Sequence, residues 1–379
     1  MKAYLPLLFI LLSLVLASCR PTSEDDTFTP TPYELPQPLF FPTTNNIPAD
    51  NPMTEEGIAL GKRLFFDDSL LSRHCEERSD ETTRRLFDRR EKIQPELSQV
   101  CVKLDCRAPL RSARNDVNRC SSCHHPEFSF EGGPDATLEH LGTEHTMLPL
   151  INLAWNTTGL GWKGTVKTLE DMVYAAYTDP LEINADTAEV VRKLQQSDTY
   201  PELFRKAFGS DKITFVMVEK AIAQYVRSLV FADSKFDRYL RGEEQLNQDE
   251  LNGYMLFITE NGADCFHCHG GGSNALFTTN LLYNNGLDAA LQGDFKAPTL
   301  RNIALTAPYM HDGRFTTLDE VIDFYSDGVQ YSEHISPLMH HVMQGGVRLT
   351  PEEKQQLKAF LLTLTTQTGL PRSTSFRSQ

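Results

Sequence analysis

The sequence predicts an all-α protein made of two small helical domains related by internal duplication. Three observations carry this. Short segments recur in the same order in each half of the chain. Helix-start signals precede apolar residues at helical spacing, and few runs alternate as strands do. A Cys-x-x-Cys-His motif occurs once per half, at Cys120–His124 and at Cys265–His269.

The repeats bracket the motifs. Gly61-Lys62-Arg63-Leu64-Phe65 recurs as Gly253-Tyr254-Met255-Leu256-Phe257, ahead of each motif. Leu150-Ile151-Asn152-Leu153-Ala154 recurs as Leu300-Arg301-Asn302-Ile303-Ala304, after each. Trp162-Lys163-Gly164 leading to Thr168-Leu169-Glu170 recurs as His311-Asp312-Gly313 leading to Thr317-Leu318-Asp319. Each match alone is weak, and their shared order makes duplication the better reading. Thr350-Pro351-Glu352-Glu353 is a capping box with proline at the first helical position, followed by Leu357, Phe360, Leu361 and Leu364 on one face. Asn247 with Glu250 gives a similar start before Leu251, Met255 and Ile258.

The N-terminus speaks for export. Met1 and Lys2 precede an apolar stretch from Leu7 to Leu16, the charged and hydrophobic regions of a signal peptide. The stretch is short for a permanent membrane span. It ends in Leu16-Ala17-Ser18-Cys19, which resembles a bacterial lipobox, so Cys19 is expected to carry acyl chains that anchor the protein to a membrane. The plainer alternative is an ordinary signal peptide with a chance cysteine. A polar, proline-rich tether is expected from Arg20 to about Pro48.

The chain has 379 residues, enough for two domains, with 40% hydrophobic and 23% charged residues. Its formal charge of -15 argues against a nucleic-acid partner, which needs a basic face. An acidic surface suits a basic redox partner, although solubility alone explains it too. Of the eight cysteines, only Cys75, Cys101 and Cys106 remain once Cys19 and the two motifs are set aside, so this is no disulfide scaffold.

The two motifs match the c-type haem attachment pattern. Two thiols one turn apart can add to the two vinyl groups on one edge of a porphyrin, and the adjacent histidine reaches the iron. With 8 cysteines and 11 histidines in 379 residues, chance yields roughly 10⁻⁵ matches per position, so two chance matches are negligible. A zinc site or a redox Cys-x-x-Cys is the competing reading. Two covalent haem c groups, on Cys120, Cys123 and His124 and on Cys265, Cys268 and His269, are therefore expected, each wrapped by a domain of cytochrome c type.

The repeat exposes an insertion. Phe257 lies 8 residues before Cys265, whereas Phe65 lies 55 before Cys120, so the first copy carries about 47 extra residues, roughly Arg73 to Asn118. The stretch is rich in Arg and Glu, and its start, His74-Cys75-Glu76-Glu77-Arg78-Ser79-Asp80, looks like translated repetitive DNA. A tolerated surface loop is the expectation. A redox-regulated loop using its cysteines is the rival.

The copies also differ. A haem that only passes electrons keeps both axial positions filled, whereas peroxide chemistry needs an openable face. Met310 and Tyr325 flank the His311 segment, and either could be a sixth ligand to the second iron. With the repeat offset of 149 between His311 and Trp162, Tyr325 corresponds to Ala176, which cannot bind iron. The first haem is thus the better candidate for the reactive site.

Taken with these motifs, the chain resembles the bacterial di-haem cytochrome c peroxidase and MauG superfamily. The likeness runs from roughly Asn51 to Thr366, the insertion apart. It rests on Leu60 to Asp67, Cys120 to Pro126, Leu150 to Asn156, Pro298 to Asn302 and Ala307 to Phe315. The resemblance implies that His124 is the proximal ligand of a peroxide-reactive haem and His269 that of an electron-transferring haem. It places Trp162 at the inter-haem tryptophan and Glu182 at the distal-pocket acid, where a carboxylate can move a proton between the peroxide oxygens. Met172 stands where the family has a distal glutamine. At the position of Tyr325 ordinary cytochrome c peroxidases carry Met and MauG-type proteins carry Tyr; Met310 is the rival ligand. His140 and His145 are candidates to cap the first haem at rest. The family also holds a calcium ion, for which Thr306 and Pro308 match backbone ligands; its asparagine ligand is missing, with His145 or Thr146 nearby. A homodimer is implied as well.

The expected organisation is residues 1–19 as signal peptide and lipobox, 20–50 as flexible tether, 51–235 as the N-terminal, peroxidatic haem domain with the insertion at about 73–118, and 236–370 as the C-terminal, electron-transfer haem domain. The expected function is an envelope-anchored peroxidase on the periplasmic side. It reduces hydrogen peroxide to water with electrons from a small c-type cytochrome or cupredoxin-like donor. The alternatives are a MauG-like, peroxide-dependent oxidase of a protein or organic substrate, and a non-catalytic di-haem electron-transfer cytochrome.

Overall fold

The computed structural model describes residues 28–70, 119–133, 145–180, 182–290 and 292–366. The lipobox with Cys19, the insertion with Cys75, Cys101 and Cys106, and His140 lie outside them.

Helices dominate, as expected. They are α1 (Glu55–Phe66), α2 (Leu169–Thr178), α3 (Thr187–Gln196), α4 (Tyr200–Phe208), α5 (Phe215–Arg227), α6 (Lys235–Leu240), α7 (Gln248–Phe257), the single turn α8 (Phe266–His269), α9 (Leu318–Asp323) and α10 (Pro351–Thr363). Among the described residues one sheet is present, an antiparallel pair of two-residue strands, β1 (Leu282–Tyr283) and β2 (Phe295–Lys296). The capping boxes read from sequence form at Asn247–Glu250 and Thr350–Glu353.

Two helix pairs organise the cores. α1 crosses α5 at Gly61, where a Cβ would collide with the Ala221 carbonyl. α7 crosses α10 at Gly253, where a Cβ would collide with the Gln356 carbonyl. Glycine is what lets each pair of backbones approach. Around the first crossing Leu64, Phe65, Val218 and Ile222 are buried; around the second, Phe236, Phe257, Phe277 and Phe360. The crossing sets which face of α7 is buried. Leu251 and Ile258 are only half-buried and Met255 is exposed, because the close crossing selects Gly253 and Phe257.

The proline-rich segment departs from its expectation as a tether. Residues 28–50 are packed on the protein. Phe41 is buried edge-on to Trp155, with ring centroids 4.9 Å apart. The Phe40 carbonyl accepts from the Ala275 N–H at 2.9 Å. The Asn46 amide donates to the Leu153 and Asn156 carbonyls at 2.7 and 2.8 Å. Composition registers low hydrophobicity, but one buried ring and a few amide bonds suffice to seat a chain that proline already extends.

Arg301 joins the pieces. It is almost wholly buried and binds Asp237 through two bonds of 2.7 Å. Its Nε donates to the Ala275 carbonyl, and its guanidinium lies 4.8 Å from the Phe41 ring centroid. Burial alone would raise the Asp237 carboxyl; the Arg301 charge and bonds from Arg301 and Ser234 outweigh it and hold the group below its ordinary range. The pair's contribution is therefore complete above the ordinary carboxylate pKa and is lost as pH falls through the lowered one. Replacing one partner strands the other charge. Arg301→Met and Asp237→Asn should each cost about 3–5 kcal/mol in urea unfolding of the haem-loaded protein. Breaking the exposed Lys358–Asp319 pair should shift the midpoint little.

Candidate functional site

Both motif histidines are set up alike. His124 follows a 3₁₀ turn, Cys120–Ser122, and its Nδ1 lies 2.7 Å from the Phe130 carbonyl oxygen. His269 ends α8, and its Nδ1 lies 3.1 Å from the Pro298 carbonyl oxygen. A carbonyl only accepts, so each Nδ1 carries the proton and each Nε2 keeps its lone pair for a metal. Burial pushes both imidazoles down to about 4, so they are neutral, as a ligand must be.

The four motif cysteines form no disulfide among the described residues. Burial pushes Cys120 and Cys268 up to about 12 and raises Cys123 and Cys265 as well. A structural zinc site takes four ligands, and each motif supplies three, two thiols and one histidine. The same groups fit haem c: thiols to bond the vinyl carbons and Nε2 for the iron.

Cys265, Cys268 and His269 line a large, mostly apolar cavity, and Tyr325 and Met310 line it too. Tyr325 sits on a π-helical turn, Phe324–Gly328, the kind of helix defect that often re-aims a functional side chain. The Asn285 amide lies 3.0 Å from the Tyr325 hydroxyl and 3.8 Å from the Met310 sulfur. Both candidate sixth ligands thus meet at one amide. Burial raises the Tyr325 phenol well above its ordinary range. Asn285 was not anticipated; it lies in a loop without motif or periodicity.

Trp162 belongs to the first half yet lines this second cavity. Its Nε1 donates to the Thr146 carbonyl at 2.7 Å. Its ring stands 6.3 Å from His311 and 6.5 Å from Phe295, which themselves stack at 3.7 Å. His145 joins this aromatic group, with its ring centroid 5.3 Å from Phe295 and 5.5 Å from His311. Thr306 and Pro308 also line the cavity.

At the first motif the chain brings up Glu182, whose charge acts on the Cys120 and Cys123 thiols. Glu182 is exposed at the surface, yet surrounding protein, and then the Asp179 charge, raise its carboxyl above the ordinary range. Met172 packs on the first core beside Gly161. Ala176 offers only its carbonyl locally, accepting from the Ile183 N–H at 3.1 Å.

One further acid was not anticipated. Glu131 follows the first motif but lines the second cavity, with 1% of its surface exposed. Its carboxylate accepts from the Gly133 N–H at 2.8 Å. Burial outweighs that bond and pushes the group from 4.5 up to about 7. Its only trace in the sequence is an acid closing an aromatic run, Phe128-Ser129-Phe130-Glu131. The folded state holds this proton to higher pH than the unfolded state, so Glu131 costs stability as pH rises from 4.5 towards about 7. Glu131→Gln should flatten that stretch of the stability–pH curve, measured by urea unfolding at stepped pH, and raise stability at pH 8.

Comparison with known proteins agrees with this construction. The sequence profile described as di-haem cytochrome c peroxidase matches residues 110–245. The methylamine utilization protein MauG of Methylorubrum extorquens is 30% identical over 339 residues, covering 84% of this chain and 80% of the relative. The cytochrome c551 peroxidase of Nitrosomonas europaea is 35% identical over 235 residues, covering 56% of this chain and 68% of the relative. The crystal structure of a MauG-like protein associated with microbial copper homeostasis superposes with a TM-score of 0.69 at 30% identity, covering 90% of this chain and 98% of that one.

Proposed function

The chain belongs to the di-haem cytochrome c peroxidase and MauG family and is a peroxidase-type oxidoreductase using haem; on that premise we propose that it reduces hydrogen peroxide to water at its first half with electrons taken up at its second. The overall balance is one peroxide, two electrons and two protons to two waters. The donor we infer is a small c-type cytochrome or cupredoxin-like protein outside the cytoplasm. The lipobox reading puts the enzyme on a membrane, on the periplasmic side.

The asymmetry between the halves carries this reading. Their histidines are prepared alike, and among the described residues the second motif has Tyr325 and Met310 at hand, gathered by Asn285. The first motif has Ala176 at the position that repeats Tyr325, and an acid, Glu182, whose charge acts on its cysteines. Duplication is supported by the matched glycine crossings at Gly61 and Gly253 and by left-handed Asn152 and Asn302 opening the turns Leu153–Trp155 and Ile303–Leu305. On the same grounds we divide the chain at about residue 235.

When bound, haem iron supplies the redox-active Lewis acid at which an O–O bond can be cleaved. The protein's part is proton and position. Glu182, its carboxyl held above the ordinary range by surrounding protein, can take a proton from one peroxide oxygen and return it to the other. Trp162, pinned by Thr146, puts a first-half indole on the wall of the second cavity, a place from which electrons can pass between halves. The family's calcium fits only in part. Thr306 and Pro308 are at hand, but the Thr146 carbonyl accepts from Trp162 and its hydroxyl donates to the Met310 carbonyl, so the reaction is derived without it.

A second reading is favoured by Tyr325. A phenolate ligand stabilises ferric and higher states, which suits MauG-like oxidation of a protein or organic substrate.

Steady-state turnover of peroxide with reduced cytochrome c should be observed. Glu182→Gln should slow it by about 10²–10⁴ with haem content unchanged. Turnover unaffected by the substitution removes Glu182 from the mechanism. Absence of donor-dependent turnover, with peroxide still reacting in stopped-flow absorption, favours the MauG-like reading. For the ligand, Tyr325→Phe should alter the spectrum of the second haem and Met310→Leu should not; the reverse assigns Met310.

A further inference from the structure

Beside the second motif lies a cluster that the peroxidase reading does not use. Asp264, His267 and His340 bring one carboxylate and two imidazoles together, with ligand atoms within 4.8 Å of one another. Asp264 Oδ1 lies 2.6 Å from His267 Nδ1, and Asp264 Oδ2 lies 3.6 Å from His340 Nδ1. A second carboxylate, Glu260 Oε1, stands 3.3 Å from the same His340 nitrogen. For comparison, ligands around a tetrahedral ion with bonds of about 2.0–2.1 Å sit roughly 3.3 Å apart.

We propose that Asp264, His267, His340 and Glu260 form a binding site for one divalent transition-metal ion, zinc or copper(II). The donor set is chemically apt: imidazole suits both ions, and carboxylates supply the neutralising charge. Access is provided, because His340 and Glu260 are exposed while Asp264 is nearly buried, a base with open partners around it. The partners come from two separate segments. Asp264 and His267 belong to the haem-attachment turn. His340 belongs to a loop whose Leu338, Met339 and Val342 wall the second cavity. An ion would take the place of the Asp264–His267 hydrogen bond and clasp that wall to the attachment turn. His267 is free to do this without disturbing haem attachment, since Cys265, Cys268 and His269 are the residues the motif needs.

The test is isothermal titration of the haem-loaded protein with Zn²⁺, and electron paramagnetic resonance of the same protein with one equivalent of Cu²⁺. The expected result is a site of unit stoichiometry that His340→Ala and His267→Ala each weaken by more than about tenfold, the scale that even an outer partner of a ligand commands. The copper spectrum should show coupling to two imidazole nitrogens in the parent and to one in either variant. Haem absorption unchanged in both variants guards against misfolding. The proposal is overturned if both variants titrate like the parent, or if the copper spectrum shows no change on losing His340. Zinc should also slow amide exchange in residues 336–344 of the parent but not of His340→Ala; equal exchange with and without zinc overturns the clasp.

Discussion

The buried Arg301–Asp237 pair is the constraint on which the rest of the structure depends. Taking two charges out of water is expensive, and this one is sustained because nearly every polar atom has a partner. Asp237 closes the cap of α6 through Ser234, and Arg301 reaches the Ala275 carbonyl while lying over Phe41. Its neighbour Asn302 extends the web. The Asn302 amide donates to the Ser129 hydroxyl in the first-motif loop at 2.8 Å and accepts from the Thr366 N–H just beyond α10. Two consecutive residues thus tie the N-terminal strap, the linker into α6, the loop after the first motif and the C-terminal helix.

That web also explains why side chains of one half furnish the other's cavity. Trp162 and Glu131 are first-half residues on the wall beside His269 and Tyr325. They can be placed there because the segments around them are fastened across the halves: the Thr146 N–H donates to the His311 carbonyl at 2.8 Å and the Lys296 N–H to the Trp162 carbonyl at 2.9 Å. The site is built less by either core than by the backbone bonds between them.

Neutrality is the common electrostatic theme. Both motif histidines and all four motif thiols are driven to their uncharged forms by burial. The acids nearby, Glu131 and Glu182, are raised as well. Such an environment resists fixed charge and leaves Glu131 poised to exchange its proton near neutral pH. The cluster of Asp264 with His267 and His340 lies at the rim of this region, where water is available.

Much of this was determined locally. The helices, their capping boxes at Asn247 and Thr350 and the two Cys-x-x-Cys-His turns follow from residues a few positions apart, so the chain alone specified them. The tertiary structure decided what depends on separation. On α7 it is Gly253 and not Met255 that is buried, because a helix face is chosen by its partner. The proline-rich strap docked, because Phe41 found Arg301 and Trp155 far along the chain. Asn285 and Glu131 acquired their places only when loops with no periodicity met around one cavity. Short-range patterns write secondary structure and attachment chemistry. Packing between distant segments determines which side chains share the space where that chemistry happens.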